Sequence, residues 1–145
     1  MKHRTILLLA VLFTGCARSS NRTTDTTSDQ LPSLEARVQF VEVYVVAGRR
    51  YSELSFHIRF QDNSGGMVPG PSDWDFRLVA SVTANELADW IPAGATPINK
   101  PELDWLATVP NSKRAAGITE WYKKGRTTIG IDRKQNIVAY RAMKY

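Results

Sequence analysis

The chain has 145 residues, a formal net charge of +5, 43% hydrophobic residues and a single cysteine. One cysteine excludes any internal disulfide framework, and the length suits one domain whose core can stand without cross-links or metal. With two histidines in all, there is no set of His and Cys at metal-ligating spacing, no Gly-rich phosphate loop and no G-x-S-x-G elbow, so neither cofactor nor metal is expected.

Lys2, His3 and Arg4 precede an unbroken apolar run from Ile6 to Phe13, and Phe13-Thr14-Gly15-Cys16 closes the segment. A basic start followed by a short apolar run is the secretory signal pattern. The run is too short to span a bilayer, which takes ~20 apolar residues. The closing tetrapeptide resembles the lipobox of bacterial lipoproteins, departing from its commonest form at Phe13, where leucine is usual. The resemblance covers the signal segment alone. It implies that residues 1–15 are removed and that Cys16 becomes the lipidated first residue of an extracytoplasmic, membrane-anchored protein. Lipidation would also remove an otherwise reactive lone thiol. Each buried methylene contributes ~0.8 kcal/mol, so two or three acyl chains hold a protein firmly where one does not. Within the resemblance, Ala17 rather than Asp after the cysteine favours the outer membrane of a Gram-negative cell.

Residues 17–33, ARSSNRTTDTTSDQLPS, are dominated by Ser, Thr, Asn and Asp. Such a composition predicts a flexible tether, giving three regions: signal 1–15, lipidated cysteine and tether 16–33, and one globular domain 34–145. Within the domain, apolar residues fall on even positions from Leu34 to Phe40 and on odd ones from Val41 to Val45. That change of phase reads as a strand with a bulge near Phe40, or as one buried on both faces. Leu54, Phe56, Ile58 and Phe60 alternate with polar residues, as do Trp74, Phe76, Leu78, Ala80 and Val82, which marks two half-buried antiparallel strands. Asp62 to Asp73 between them carries three glycines and two prolines and reads as a long loop. Thr83-Ala84-Asn85-Glu86 is a capping box that opens a short helix, and Pro101 to Pro110 reads as a second. Ile118 to Lys124, Thr127 to Ile131 and Ile137 to Met143 complete the pattern as strands. The expected class is α+β, a mostly antiparallel sheet of about six strands in the order βββ-αα-βββ.

Candidate chemistry is sparse. After loss of His3, a Ser-His-Asp arrangement would have to use His57, which falls on the polar face of a regular strand. Asp62, Asp73 and Asp75 flank the loop without the alternate spacing of a calcium site. All four tryptophans follow an acid, in Asp73-Trp74, Asp89-Trp90, Asp104-Trp105 and Glu120-Trp121, which offers a low-weight glycan platform against the plainer reading of core aromatics. The acids Asp73, Asp75, Asp89, Asp104 and Glu120 would have to supply the carboxylate pair of any glycan-cleaving activity. Charge is uneven: from Asn111 onwards nine Lys/Arg face two acids, a net of +7, whereas residues 34–110 carry six against ten, a net of −4. Lys123, Lys124, Arg126, Arg133 and Lys134 in the final meander are therefore the candidate partner-binding residues.

Together these features point to a non-enzymatic binding or accessory protein of the cell envelope, such as an inhibitor, an immunity protein or a subunit of an envelope complex. Its partners would be the membrane, through the lipid, and an envelope protein or anionic envelope surface. Nucleic acid is not expected outside the cytosol, and the oligomeric state stays open. A glycan-binding or glycan-cleaving protein and a small-ligand carrier are the competing classes.

Overall fold

The computed structural model describes residues 22–46, 48–65, 70–99 and 101–145. The expected signal segment, Cys16, the first part of the expected tether, the middle of the Gly/Pro loop and Lys100 lie outside the described residues. Seven strands form one sheet in the order β1-β2-β3-β7-β6-β5-β4. They are β1 (Arg22–Thr27), β2 (Glu53–Asp62), β3 (Asp73–Ser81), β4 (Thr96–Pro97), β5 (Glu120–Lys124), β6 (Thr127–Asp132) and β7 (Ile137–Lys144), and every pairing is antiparallel. One α-helix, α1 (Leu34–Val41), and several 3-10 turns complete an α+β fold.

Besides the added two-residue strand β4, the element order differs from the expected βββ-αα-βββ in three places. First, the second half of the expected tether is structured. Arg22–Thr27 pairs along β2 from Arg22↔Asp62 to Thr27↔His57. An edge strand needs backbone partners more than apolar side chains, and its threonines are β-branched. Second, Leu34–Val41 is a helix rather than a strand. The Ser33 hydroxyl accepts a hydrogen bond from the Ala36 amide as its N-cap. Leu34, Val38, Val41 and Val45 recur at helical spacing, which competes with the two-residue alternation over so short a run. Third, the two expected short helices are 3-10 turns, over Ala84–Glu86, Ala88–Trp90 and Asp104–Thr108, with a further one over Ser112–Gly117. The Thr83/Glu86 capping box is present.

Strand alternation then divides the side chains between two faces. On one, Leu54, Phe56, Ile58, Phe76, Leu78, Ala80, Ile129, Ile131 and Val138 pack with Val41, Leu87 and Trp90 into the larger core, against which α1 lies. Phe40 stacks on Phe56 with ring centroids 5.0 Å apart, and Tyr44 on Phe76 at 5.1 Å. On the other face, Val79, Trp121, Ile137 and Ala139 meet Trp105, Val109, Ala115 and Ile118 from the later turns in a smaller core. Trp121 lies directly over its cross-strand partner Gly130, where a Cβ would come within 2.5 Å of the indole. The smaller core covers only part of its face. The remainder, over β1, β2, β3 and β7, is lined by polar side chains and holds the candidate site.

Candidate functional site

On this open face, adjacent rungs of the sheet place His57, Arg77 and Arg141 side by side, then Arg59, Asp75 and Met143. Asp75 is 8% exposed and lies between two guanidinium groups. Arg141 donates to it as a fork, Nε to Oδ1 at 3.1 Å and Nη2 to Oδ2 at 2.9 Å, while Arg77 donates through Nη2 to Oδ2. Burial pushes the Asp75 carboxyl upward, but the hydrogen bonds and charge of Arg77 and Arg141 outweigh it and hold the group below the usual carboxylate range. The same pairing raises Arg141. Asp75 is thus a fixed anion that orients two cations.

His57 faces the same patch. Its Nε2 lies 3.0 Å from Asp25 Oδ1 and its Nδ1 3.0 Å from Thr108 Oγ1. A carboxylate only accepts, so Nε2 carries the proton shared with Asp25. The Thr108 hydroxyl accepts from Arg77 Nη1 at 2.8 Å and donates to the Trp105 carbonyl at 2.8 Å. The carbonyl and the imidazole therefore compete for one hydroxyl proton. The group links the edge strand β1, the sheet and the 3-10 turn over Asp104–Thr108.

Beside Arg141 the face opens into a cavity of about 360 Å³, lined by Pro101, Glu102, Trp105, Lys123, Arg126 and Met143 among others. Lys123 and Arg126 are exposed and form no salt bridge among the described residues. Arg126 lies over the Tyr145 ring, 5.1 Å from its centroid. A second open depression, about 490 Å³, lies at the far end of β2 between Arg37, Glu53, Ser55 and Arg114.

The five basic residues singled out in the sequence do not make one surface. Lys123 points to the open face. Lys124, the next residue on the strand, points to the opposite face and donates to the Ala93 carbonyl at 2.8 Å. Arg126 is in the β5–β6 turn, but Arg133 and Lys134 are in the β6–β7 turn at the other end of β6, about 20 Å away. Arg133 is held by Glu120 at 2.8 and 3.0 Å.

Nor do the indoles form a platform. Trp90, Trp105 and Trp121 are buried core residues, and only Trp74 is half-exposed, edge-on to Tyr44. Of the acids considered for glycan cleavage, Asp75 and Glu120 are both tied to arginine and shifted downward, away from the protonated form a general acid requires. Asp73 accepts from Asn63, and Asp62 from Ser64. No cluster of three metal-ligating side chains occurs among the described residues.

Sequence reasoning missed Asp25, Arg77, Thr108 and Arg141. Asp75-Phe76-Arg77 carried a legible hint, since opposite charges two apart on a strand share a face. Asp25 and Thr108 gave none, because they reach the site through tertiary pairing. Comparison with family models, with curated proteins and with solved structures yields no match to this chain.

Proposed function

We propose that this chain is a lipid-anchored, non-catalytic binding or accessory protein of the cell envelope, acting through the cationic rim around Lys123 and Arg126. The observation that carries the reading is the contrast within the open face. Its one buried carboxylate is saturated by two arginines, whereas Lys123 and Arg126 beside it form no salt bridge among the described residues, Arg126 meeting only the Tyr145 carbonyl and ring. A cation with no ion-pair partner is available to an anionic partner. The export signal and Cys16 supply the address, and with it the class of partner: an acidic envelope protein or an anionic envelope surface.

Two measurements test this separately. The mature protein should carry lipid mass on Cys16, and a native form without it removes the address. The Cys16→Ala form, added back to washed membranes of its own cell, should bind at low salt and be released at about 0.5 M salt. Lys123→Glu/Arg126→Glu should abolish that rebinding, and unchanged rebinding removes the rim.

The Asp25–His57–Thr108 line supports a second reading, a hydrolase with Thr108 as nucleophile and His57 as base, since carboxylate, imidazole and hydroxyl stand at 3.0 and 3.0 Å. Against it, the hydroxyl proton is shared with the Trp105 carbonyl, and Arg77 occupies the oxygen that would attack. Hydrolysis of ester or peptidoglycan substrates that vanishes in both Thr108→Ala and His57→Gln would establish this reading in place of the first.

A further inference from the structure

We infer that the end of the sheet nearest the lipid anchor is a membrane-docking surface that seats the domain on the anionic headgroups of the leaflet holding Cys16. This deepens the proposed function and rests on its lipid-anchored reading.

Chain length supplies the first argument. A tether running to residue 33 would let the domain stand as far as about 65 Å from the anchor. Because β1 already begins at Arg22, only six residue steps separate Cys16 from the sheet, a reach of at most about 22 Å. Arg22 pairs with Asp62, the last residue of β2, and the ten residues of β2 run about 33 Å to Glu53 at the far end. The leash is shorter than the sheet. The far end therefore cannot be the one set down on the membrane with the strands upright.

What gathers at the near end is the second argument. Register brings together Arg22 of β1, Asp62 at the end of β2, Lys144 opposite Trp74, and the β5–β6 turn with Arg126, next to Lys123 and Lys124. Arg126 bridges to Tyr145. The acids at this end are Asp62, Asp73, Glu102 and, in the depression beside Lys124, Asp89, and none of them makes a salt bridge to these five cations among the described residues. Five cations against four acids leave a small excess.

The large apolar side chains exposed among the described residues give a third, independent argument. They are Val43, Val46, Leu103 and Tyr145. Tyr145 follows Lys144 directly. Leu103 adjoins Glu102 on the wall of the 360 Å³ cavity. Val43 precedes Tyr44, whose ring meets Trp74, and Val46 lies further along, between a depression with Lys124 and Thr127 and one with Glu86. Apolar and aromatic groups interspersed with lysine and arginine suit the interfacial zone of a bilayer, where rings and aliphatic stems sit among headgroups and the charges meet lipid phosphates. Each cation near an anionic leaflet favours binding by about fivefold. Such weak terms suffice here, because the anchor holds the surface at a high effective concentration.

The test uses the lipidated protein in phosphatidylcholine vesicles with or without phosphatidylglycerol. With Cys16 acylated, an introduced cysteine is the single reactive thiol, so a fluorophore can be placed at Ser64→Cys near the anchor or at Lys134→Cys at the far end. A headgroup-linked quencher should quench the Ser64 probe at least threefold more than the Lys134 probe on anionic vesicles. Arg126→Glu/Lys144→Glu, or removal of the anionic lipid, should erase most of that difference. Equal quenching of the two probes on anionic vesicles overturns the proposal. A second arm uses the Cys16→Ala full chain, which should co-sediment with anionic vesicles at low salt and not with neutral ones. Failure of this arm overturns docking while leaving the anchor intact, and absence of lipid on Cys16 overturns the anchor while this arm still reads docking.

Discussion

The two ends of the sheet both carry several charged residues and differ in how they use their arginines. At the Glu53 end of the sheet the arginines are spent internally: Arg50 pairs with Glu86, Arg133 with Glu120, and Arg114 with Glu53 while also reaching Ser81, Ser55 and the Val79 carbonyl, whereas Lys113 and Lys134 form no salt bridge among the described residues. At the near end, Arg22, Lys123, Lys124, Arg126 and Lys144 form no salt bridge among the described residues. Between the ends, Asp75 draws two arginines out of circulation. The difference teaches that the basic character of the final meander is not one property. Part of it is structural, and part is left without a salt bridge among the described residues.

The comparison can be broken by measuring stability across it. The largest loss is expected at its hinge: Asp75→Ala strands two partly buried guanidinium groups and should cost about 3 kcal/mol in chemical denaturation. Asp75→Asn sharpens this through pH. The folded-state carboxyl lies below its unfolded value, so its contribution is complete above the ordinary aspartate range and drains as pH falls through it, below about pH 4. Wild type should lose part of its stability there, and Asp75→Asn should show a shallower acid loss.

Gly130→Ala drives a methyl into the Trp121 ring and should cost about 2 kcal/mol, with altered near-UV circular dichroism. Arg114→Ala at the far end removes bonds to Ser55, Ser81 and Glu53 and should cost about 1.5 kcal/mol. Smallest of all, Lys123→Glu/Arg126→Glu/Lys144→Glu should shift stability by no more than about 0.5 kcal/mol while abolishing membrane rebinding. If that triple variant unfolds as readily as Arg114→Ala, the near-end cations are structural and the distinction between the ends fails.

How much of the site was legible depends on whether a residue reaches it along its own strand or across the fold. The strong alternation of residues 54–60 and 74–82 announced β2 and β3, and therefore that Asp75 and Arg77 share a face. It could not announce that β7 would place Arg141 against them, since β3 and β7 are separated by more than fifty residues. Lys123 and Lys124 looked like one basic patch in sequence, yet strand geometry sends neighbours to opposite faces. The polar composition of residues 22–27 argued for disorder because it offers no apolar surface. Pairing with β2 stabilised the segment through backbone bonds that composition does not display.

By itself the sequence determined the α+β class, the capping box, the two long central strands and the last three strands, because these rest on local periodicity and turn chemistry. It also carried the signal-like segment and Cys16, on which the address rests as a proposal. Only the tertiary structure decided that the chain enters the sheet at Arg22, that three of the four indoles are core, and which cations have partners. Those outcomes depend on register between distant segments. Register is settled by the simultaneous burial of both sheet faces, a condition that no window of sequence contains.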